Sequence, residues 1–200
     1  MSESEQNRPE QTVLSIESGT SYLSLGLSVG ERAFSRILEV GRTAAERLPA
    51  ELEALYAEAR AVQAGLVMRA DVIVVGTGPG SYTGLRVGAS YALGLGRAWG
   101  VPVLGVPTLE ALTGGPDGTR PDGAVAVSVD ARKEHVYGAV YRLTGGVATG
   151  TLHPPAKYSL SDFGALASGL PWYRDGAPDP LLLAANGLDH GSAEWELSYL

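Results

Sequence analysis

Hydrophobic positions early in the chain recur with a strand's spacing. Residues 12–16 are β-branched and aliphatic and stop at Glu17-Ser18-Gly19-Thr20, a cluster of turn-formers. Leu23, Leu25, Leu27 and Val29 then alternate with Ser24, Gly26 and Ser28. That period of two describes a strand with one buried face and one face that is crowded or wet. Gly30-Glu31 closes a hairpin and residues 33–40 supply a third strand, so the pattern predicts an antiparallel meander. From Thr43 the period lengthens. Thr43-Ala44-Ala45-Glu46 has capping-box spacing, and Leu48, Leu52, Leu55, Tyr56 and Ala59 fall on one helical stripe. Pro49 either kinks this helix or moves its start to near Leu48.

Val72-Ile73-Val74-Val75 is apolar without alternation, which suits a strand covered on both faces, as in a parallel arrangement. The glycine-rich turn 76–84, a helix over 85–99 and a strand over 101–106 complete a β-α-β unit. The breaker-rich run 114–123 is the best candidate for a connection between two lobes. Beyond it the pattern predicts strands over 124–129 and 136–143, a turn at Thr144-Gly145-Gly146 and a short capped helix over 159–167. Residues 181–185 fit either a short strand or a helix. The expected organisation is a disordered tail over 1–11, a first lobe over 12–109, a connector over 110–123 and a smaller second lobe over 124–200.

Composition narrows the function classes. The chain has 200 residues, 44% of them hydrophobic, and its 15 basic against 22 acidic residues give a net charge of −7. Only Lys133 and Lys157 are lysines, and a free-standing nucleic-acid binder has the opposite charge balance. Cysteine is absent, which removes disulfides and thiolate chemistry and fits a reducing cytoplasm. No uncharged stretch reaches the ~20 apolar residues of a membrane span, so a soluble protein is expected.

The glycine-rich turn carries the strongest local chemistry. A strand feeding a flexible turn and then a helix start offers backbone N–H groups to an anion. Equally, the glycines can simply make a tight turn between packed elements, and the run lacks the Lys-Ser/Thr ending of a P-loop. In the helix that follows, Gly84, Gly88, Ala92 and Gly96 draw a stripe almost without side-chain bulk. Another element can approach it closely, whether the helix's own sheet or a partner. Glu17 and Asp130, each at a predicted strand end, are candidate paired carboxylates around a metal-bound phosphate, or else acids making local caps. His135, His153 and His190 lack ligand spacing, and no G-x-S-x-G elbow occurs, so metal and nucleophilic chemistry have no support.

Residues 71–88, DVIVVGTGPGSYTGLRVG, running on to VPVLGVPTLEAL at 101–112, resemble the TsaB (YeaZ) family. Ile16-Glu17-Ser18-Gly19-Thr20, Glu46-Arg47-Leu48-Pro49, Val129-Asp130-Ala131-Arg132, Val136-Tyr137 and Ser198-Tyr199-Leu200 extend the likeness. The resemblance implies an α/β fold of the actin-like ATPase and sugar-kinase superfamily (ribonuclease H-like), two lobes each with a mixed sheet and helices, the second reduced. It also implies a non-catalytic accessory subunit in making threonylcarbamoyladenosine beside the tRNA anticodon. Such a subunit pairs with a TsaD-like transferase, is joined by a TsaE-like ATPase and meets tRNA only through the complex. Isolated, it could instead form a homodimer.

The implied partner surface lies on the first-lobe helices, at Leu52, Leu55, Tyr56, Ala59, Gly88, Ala92 and Leu95. No cofactor is required. A vestigial site for ATP or ADP with Mg would consist of Glu17, Gly78, Gly80, Ser81, Thr83, Gly84 and Asp130. Glu17 in place of the family's usual Asp, Thr77 in place of its usual Arg, and the missing histidine before the first long helix argue against an independent kinase-like site. The rival reading is a small ATP-binding phosphotransferase or ATPase of the same superfamily.

Overall fold

A computed structural model describes residues 11–115 and 118–200. The tail expected over 1–11 therefore lies outside the described residues up to residue 10, as do residues 116 and 117 of the expected connector.

The predicted meander is present as β1 (Thr12–Glu17), β2 (Tyr22–Val29) and β3 (Arg32–Glu39). After helix α1 (Ala44–Val62), the chain adds β4 (Val72–Gly76), helix α2 (Tyr82–Trp99) and β5 (Val103–Val106). The sheet order is β3-β2-β1-β4-β5, with β4 parallel to both β1 and β5. α1 runs unbroken through Pro49, so its start is Ala44 and not Leu48. α2 starts at Tyr82, three residues before the expected position. Ser81 caps it, its Oγ accepting from Gly84 N at 3.3 Å.

β4 is buried on both sides, as its unbroken apolar run requires. Ile73 and Val75 join the core under α1 and α2, while Val72 and Val74 join a second cluster with Leu183 and Ala184. Those last two residues belong to α4 (Pro180–His190), which covers the opposite face of the first sheet. α4 therefore packs on the first sheet although it lies in the segment expected to form the second lobe. The Ser24-Gly26-Ser28 face of β2 is crowded rather than wet, because Pro180 approaches Gly26 and Ser15 Oγ donates to Pro180 O at 2.6 Å.

The second sheet, β8-β7-β6-β9, consists of β6 (Gly123–Asp130), β7 (His135–Thr144), β8 (Val147–Ser159) and β9 (Trp172–Arg174). Helix α3 (Leu160–Leu166) buries Phe163 on one face. The other face meets Leu109 and Leu112 of a 3-10 helix over Thr108–Leu112. That 3-10 helix lies partly within the expected connector, yet it is fully buried. β8 is an edge strand whose register slips between His153 and Ala156, where Pro154 and Pro155 stand. No helix among the described residues is long and apolar enough to cross a membrane.

Candidate functional site

The strand ends of β1 and β4, the glycine turn and the start of α2 converge on one small region, and the chain's own atoms fill it. Glu17 closes β1 and is completely buried. Its Oε1 accepts from Gly19 N, and its Oε2 accepts from Thr108 Oγ1 at 2.7 Å. Thr108 Oγ1 in turn accepts from Gly78 N at 3.0 Å. The Glu17 carboxyl occupies the place a side chain on Gly76 would take, so glycine there is a steric requirement. No cation faces Glu17 among its partners. Burial pushes its carboxyl above the usual value of 4.5, against the hydrogen bonds from Thr108, Gly19 and Ser18.

The rest of the turn is closed in the same way. A Cβ on Gly80 would collide with Gly19 O, and one on Gly84 with Ser18 O. Ser81 N donates to Gly19 O at 2.6 Å and Ser18 Oγ to Gly84 O at 2.8 Å. Of the N–H groups that could have cradled an anion, that of Ser81 thus serves the neighbouring β1–β2 loop, that of Thr77 donates to Val106 O at 2.8 Å, and those of Gly78 and Gly84 donate to Thr108 Oγ1 and Ser81 Oγ. Gly78 faces Ser198 O, and Ser198 N donates to Thr77 O at 2.8 Å. Trp195 lies over Gly105, its Nε1 donating to Val103 O at 3.0 Å. The tight-turn reading of the glycines accounts for every one of these contacts. These residues do not fit the phosphates of a nucleotide.

Asp130 is not brought into this cluster. It is exposed at the end of β6, where its Oδ1 accepts from Arg132 N at 2.9 Å and its own N–H donates to Asp175 Oδ1 at 2.6 Å. Arg132, Lys133 and Glu134 all have positive φ. The acid closes this left-handed turn as a local cap, and it is the backbone of Arg132, not its guanidinium, that satisfies it. Thr83 is exposed and points away from the turn into a groove on α2. Among the described residues no cluster of three or more His, Cys, Asp and Glu could hold a metal ion. A separate cleft of about 200 Å³ holds Glu110, which accepts from or donates to His190 Nε2 at 2.8 Å and gathers none of the predicted site residues.

The expected partner residues need correction. Leu52, Leu55, Tyr56, Ala59 and Ala92 are completely buried in the core formed with the first sheet, and Gly88 is buried against Ser18 Oγ, 2.6 Å from a would-be Cβ. Gly96 meets Val103 of β5. The stripe of small residues faces the helix's own sheet, because a β-α-β crossover must lay its helix back on the strands it joins. Of the seven, only Leu95 is half-exposed.

What α2 offers to solvent is a different face. A groove of about 610 Å³ is lined by Ala45, Tyr82, Thr83, Arg86, Val87, Ser90 and Tyr91. Tyr82 is 56% and Leu93 51% exposed, large values for apolar side chains on a helix that is otherwise well packed. Arg86 lies over the Tyr82 ring at 5.2 Å and donates to its hydroxyl. Sequence patterning missed Tyr82 and Ser90 because a partly apolar outer face has no periodic contrast with the apolar inner one. Thr108 was equally invisible, since it meets Glu17 across 91 residues of sequence.

Two mixed sheets, helices on both faces of the first and a strand-turn-helix at their junction define an α/β protein of the actin-like, sugar-kinase type. The structure of YeaZ from Pseudomonas aeruginosa superposes with a TM-score of 0.75 at 24% identity, over 95% of this chain and 100% of that one. The family model described as TsaD, tRNA N6-adenosine threonylcarbamoyltransferase, matches residues 39–161. An uncharacterized protein of Mycobacterium tuberculosis is 37% identical over 137 residues, 65% of this chain and 59% of that one. The tRNA threonylcarbamoyladenosine biosynthesis protein TsaB of Bacillus subtilis is 39% identical over 91 residues, 46% of this chain and 38% of that one. The matches thus take in less than two thirds of these two relatives. The chain belongs to this TsaD-type family and, within it, to the TsaB (YeaZ) group.

Proposed function

We propose that this chain serves threonylcarbamoyladenosine formation in tRNA as an accessory subunit that performs no chemistry itself. It pairs in the cytoplasm with a TsaD-like transferase, a TsaE-like ATPase joins the pair, and tRNA is met through the complex. One contrast carries the proposal: the turn that would hold a nucleotide is packed with the chain's own atoms, whereas the outer face of α2 stands open beside an apolar groove. The names of the Bacillus subtilis and Escherichia coli relatives supply the pathway. The partner follows from kinship. This chain matches the family model of the transferase over 39–161, so a TsaD-like protein presents a similar first lobe, and two similar lobes can pair face to face as in a pseudo-twofold dimer.

The test is threonylcarbamoyladenosine formation in a reconstituted system with Ser90→Glu. Ser90 is exposed and lines the groove, so a charge there leaves the fold alone and burdens an apolar interface. Pairing and product formation fall together if the proposal holds. Full activity without this subunit, or with a Ser90→Glu chain that no longer pairs, overturns it. ATP turnover by the isolated chain that Glu17→Gln abolishes would restore the phosphotransferase reading. Leu55→Glu is uninformative about pairing, because Leu55 is core and its loss unfolds the lobe.

A further inference from the structure

Residues 192–200 cross the molecule as a strap. Ser192 bridges to Gly105 of β5, with N···O distances of 2.8 and 3.4 Å. Trp195 caps Gly105, Ser198 N bonds Thr77 O over the glycine turn, and Tyr199 sets its ring 4.9 Å from that of Tyr82. Tyr137 of β7 then donates its hydroxyl to Leu200 O at 2.8 Å. One short segment therefore ties β5, the glycine turn, the first residue of α2 and the second sheet together.

Tyr82 belongs to two sites at once. It lines the α2 groove, and Arg86 and Tyr199 both rest against its ring. A tyrosine at the first position of a helix has few neighbours to hold its rotamer, so these two contacts set its position as a groove wall. Large aromatic anchors held in place in the free protein are what a stable interface rests on, since their ordering is then not charged against binding.

Resting on the partner groove assigned above, we propose that Tyr199 is a positioning residue for that groove: its ring holds Tyr82 as the wall against which the same partner docks. Tyr82 lines the groove and meets Tyr199, and Tyr199 is itself held between the Ser198 N–H bonded to Thr77 O and the Leu200 carbonyl that accepts from the Tyr137 hydroxyl.

The experiment measures binding of the full chain to a purified TsaD-like transferase, together with hydrogen exchange of the Ser198 amide. Tyr199→Ala and Ser198→Pro, which removes the N–H bonded to Thr77, each weaken binding about threefold to tenfold without changing the melting of the chain. Tyr199→Phe keeps the ring and binds like the parent. Exchange at Ser198 slows when the partner is added, although its bond lies outside the groove. If Ser90→Glu abolishes binding while Tyr199→Ala binds like the parent, the strap has no part in docking. A Tyr199→Phe as weak as Tyr199→Ala, or Ser198 exchange unmoved by the partner, also overturns the strap. A Ser90→Glu chain that binds normally fails the groove assignment itself.

Discussion

The two sides of α2 are built from different residues and do opposite things. Its inner side is Gly84, Gly88, Ala92 and Gly96, and the three glycines are pressed so closely on the β1–β2 loop and β5 that no side chain fits at them. Its outer side carries Tyr82, Arg86, Ser90, Leu93 and Gly94, and around Gly94 there is nothing within 4 Å. The helix therefore presses a line of small residues, with Leu85, onto its own sheet and leaves two large apolar side chains, Tyr82 and Leu93, in water. A helix that had only to cover the sheet would gain nothing by exposing Tyr82 and Leu93, since polar residues serve as well on a solvent face. In the proposed pairing, it is this apolar outer face that the second chain covers.

The comparison breaks first, and hardest, at Gly88. Gly88→Leu has no room beside Ser18 and costs about 3 kcal/mol. That lowers the melting temperature by about 6–12 °C for a chain of this size, read by circular dichroism. Unchanged melting would mean the inner side is loose. Gly94→Ala, one and a half turns further along the same helix and facing solvent, has the opposite sign. It removes glycine's helix penalty without a clash and raises stability by up to about 1 kcal/mol. A destabilised Gly94→Ala would show that the outer side is already packed.

The smallest effect is electrostatic and sharpens the same contrast. Glu17, sealed inside, has its carboxyl raised by burial, so its contribution to stability is whole below the ordinary value of 4.5 and is lost as the pH rises through the raised folded value. Glu51, on α1 beneath Arg36 and Arg47, is held down by the hydrogen bonds of Arg47 and Arg36. Its contribution is present above 4.5 and is lost as the pH falls through the lowered folded value. Glu17→Gln should therefore gain on the parent as the pH rises from 4.5 through the raised folded value and level off above it, and Glu51→Gln should catch up with the parent at acid pH. Melting curves over pH 3–8 read both, and parallel curves would remove the contrast between a sealed and a paired carboxylate.

Much of the first sheet was legible because its strands advertise themselves. The Leu23 to Val29 alternation and the Val72 to Val75 run could bury in only one way each, and both did so. β8 was not legible, since Thr149 to Pro154 are exposed on an edge strand and carry no hydrophobic contrast. α4 stayed ambiguous through its compact Leu181-Leu182-Leu183, although Asp179-Pro180 is a cap followed by a proline at the first turn. At the site, patterning correctly found that one face of α1 is buried. It could not say by what, because a helix stripe looks the same whether its own sheet or another chain covers it. The pairing of Glu17 with Thr108 left no local trace at all.

Pro154 and Pro155 bear on how the protein behaves when crowded. β8 is the longest strand, 13 residues at the rim of the second sheet, and such a rim is a template on which another extended chain can grow. Two successive prolines remove two donors from its middle and throw the register out of step there, so the rim cannot be extended by a continuous ladder. Self-association by strand growth, the route toward fibrous aggregates, is thereby blocked where the sheet is longest. A neighbour that meets this rim is held by side chains and not by a backbone ladder.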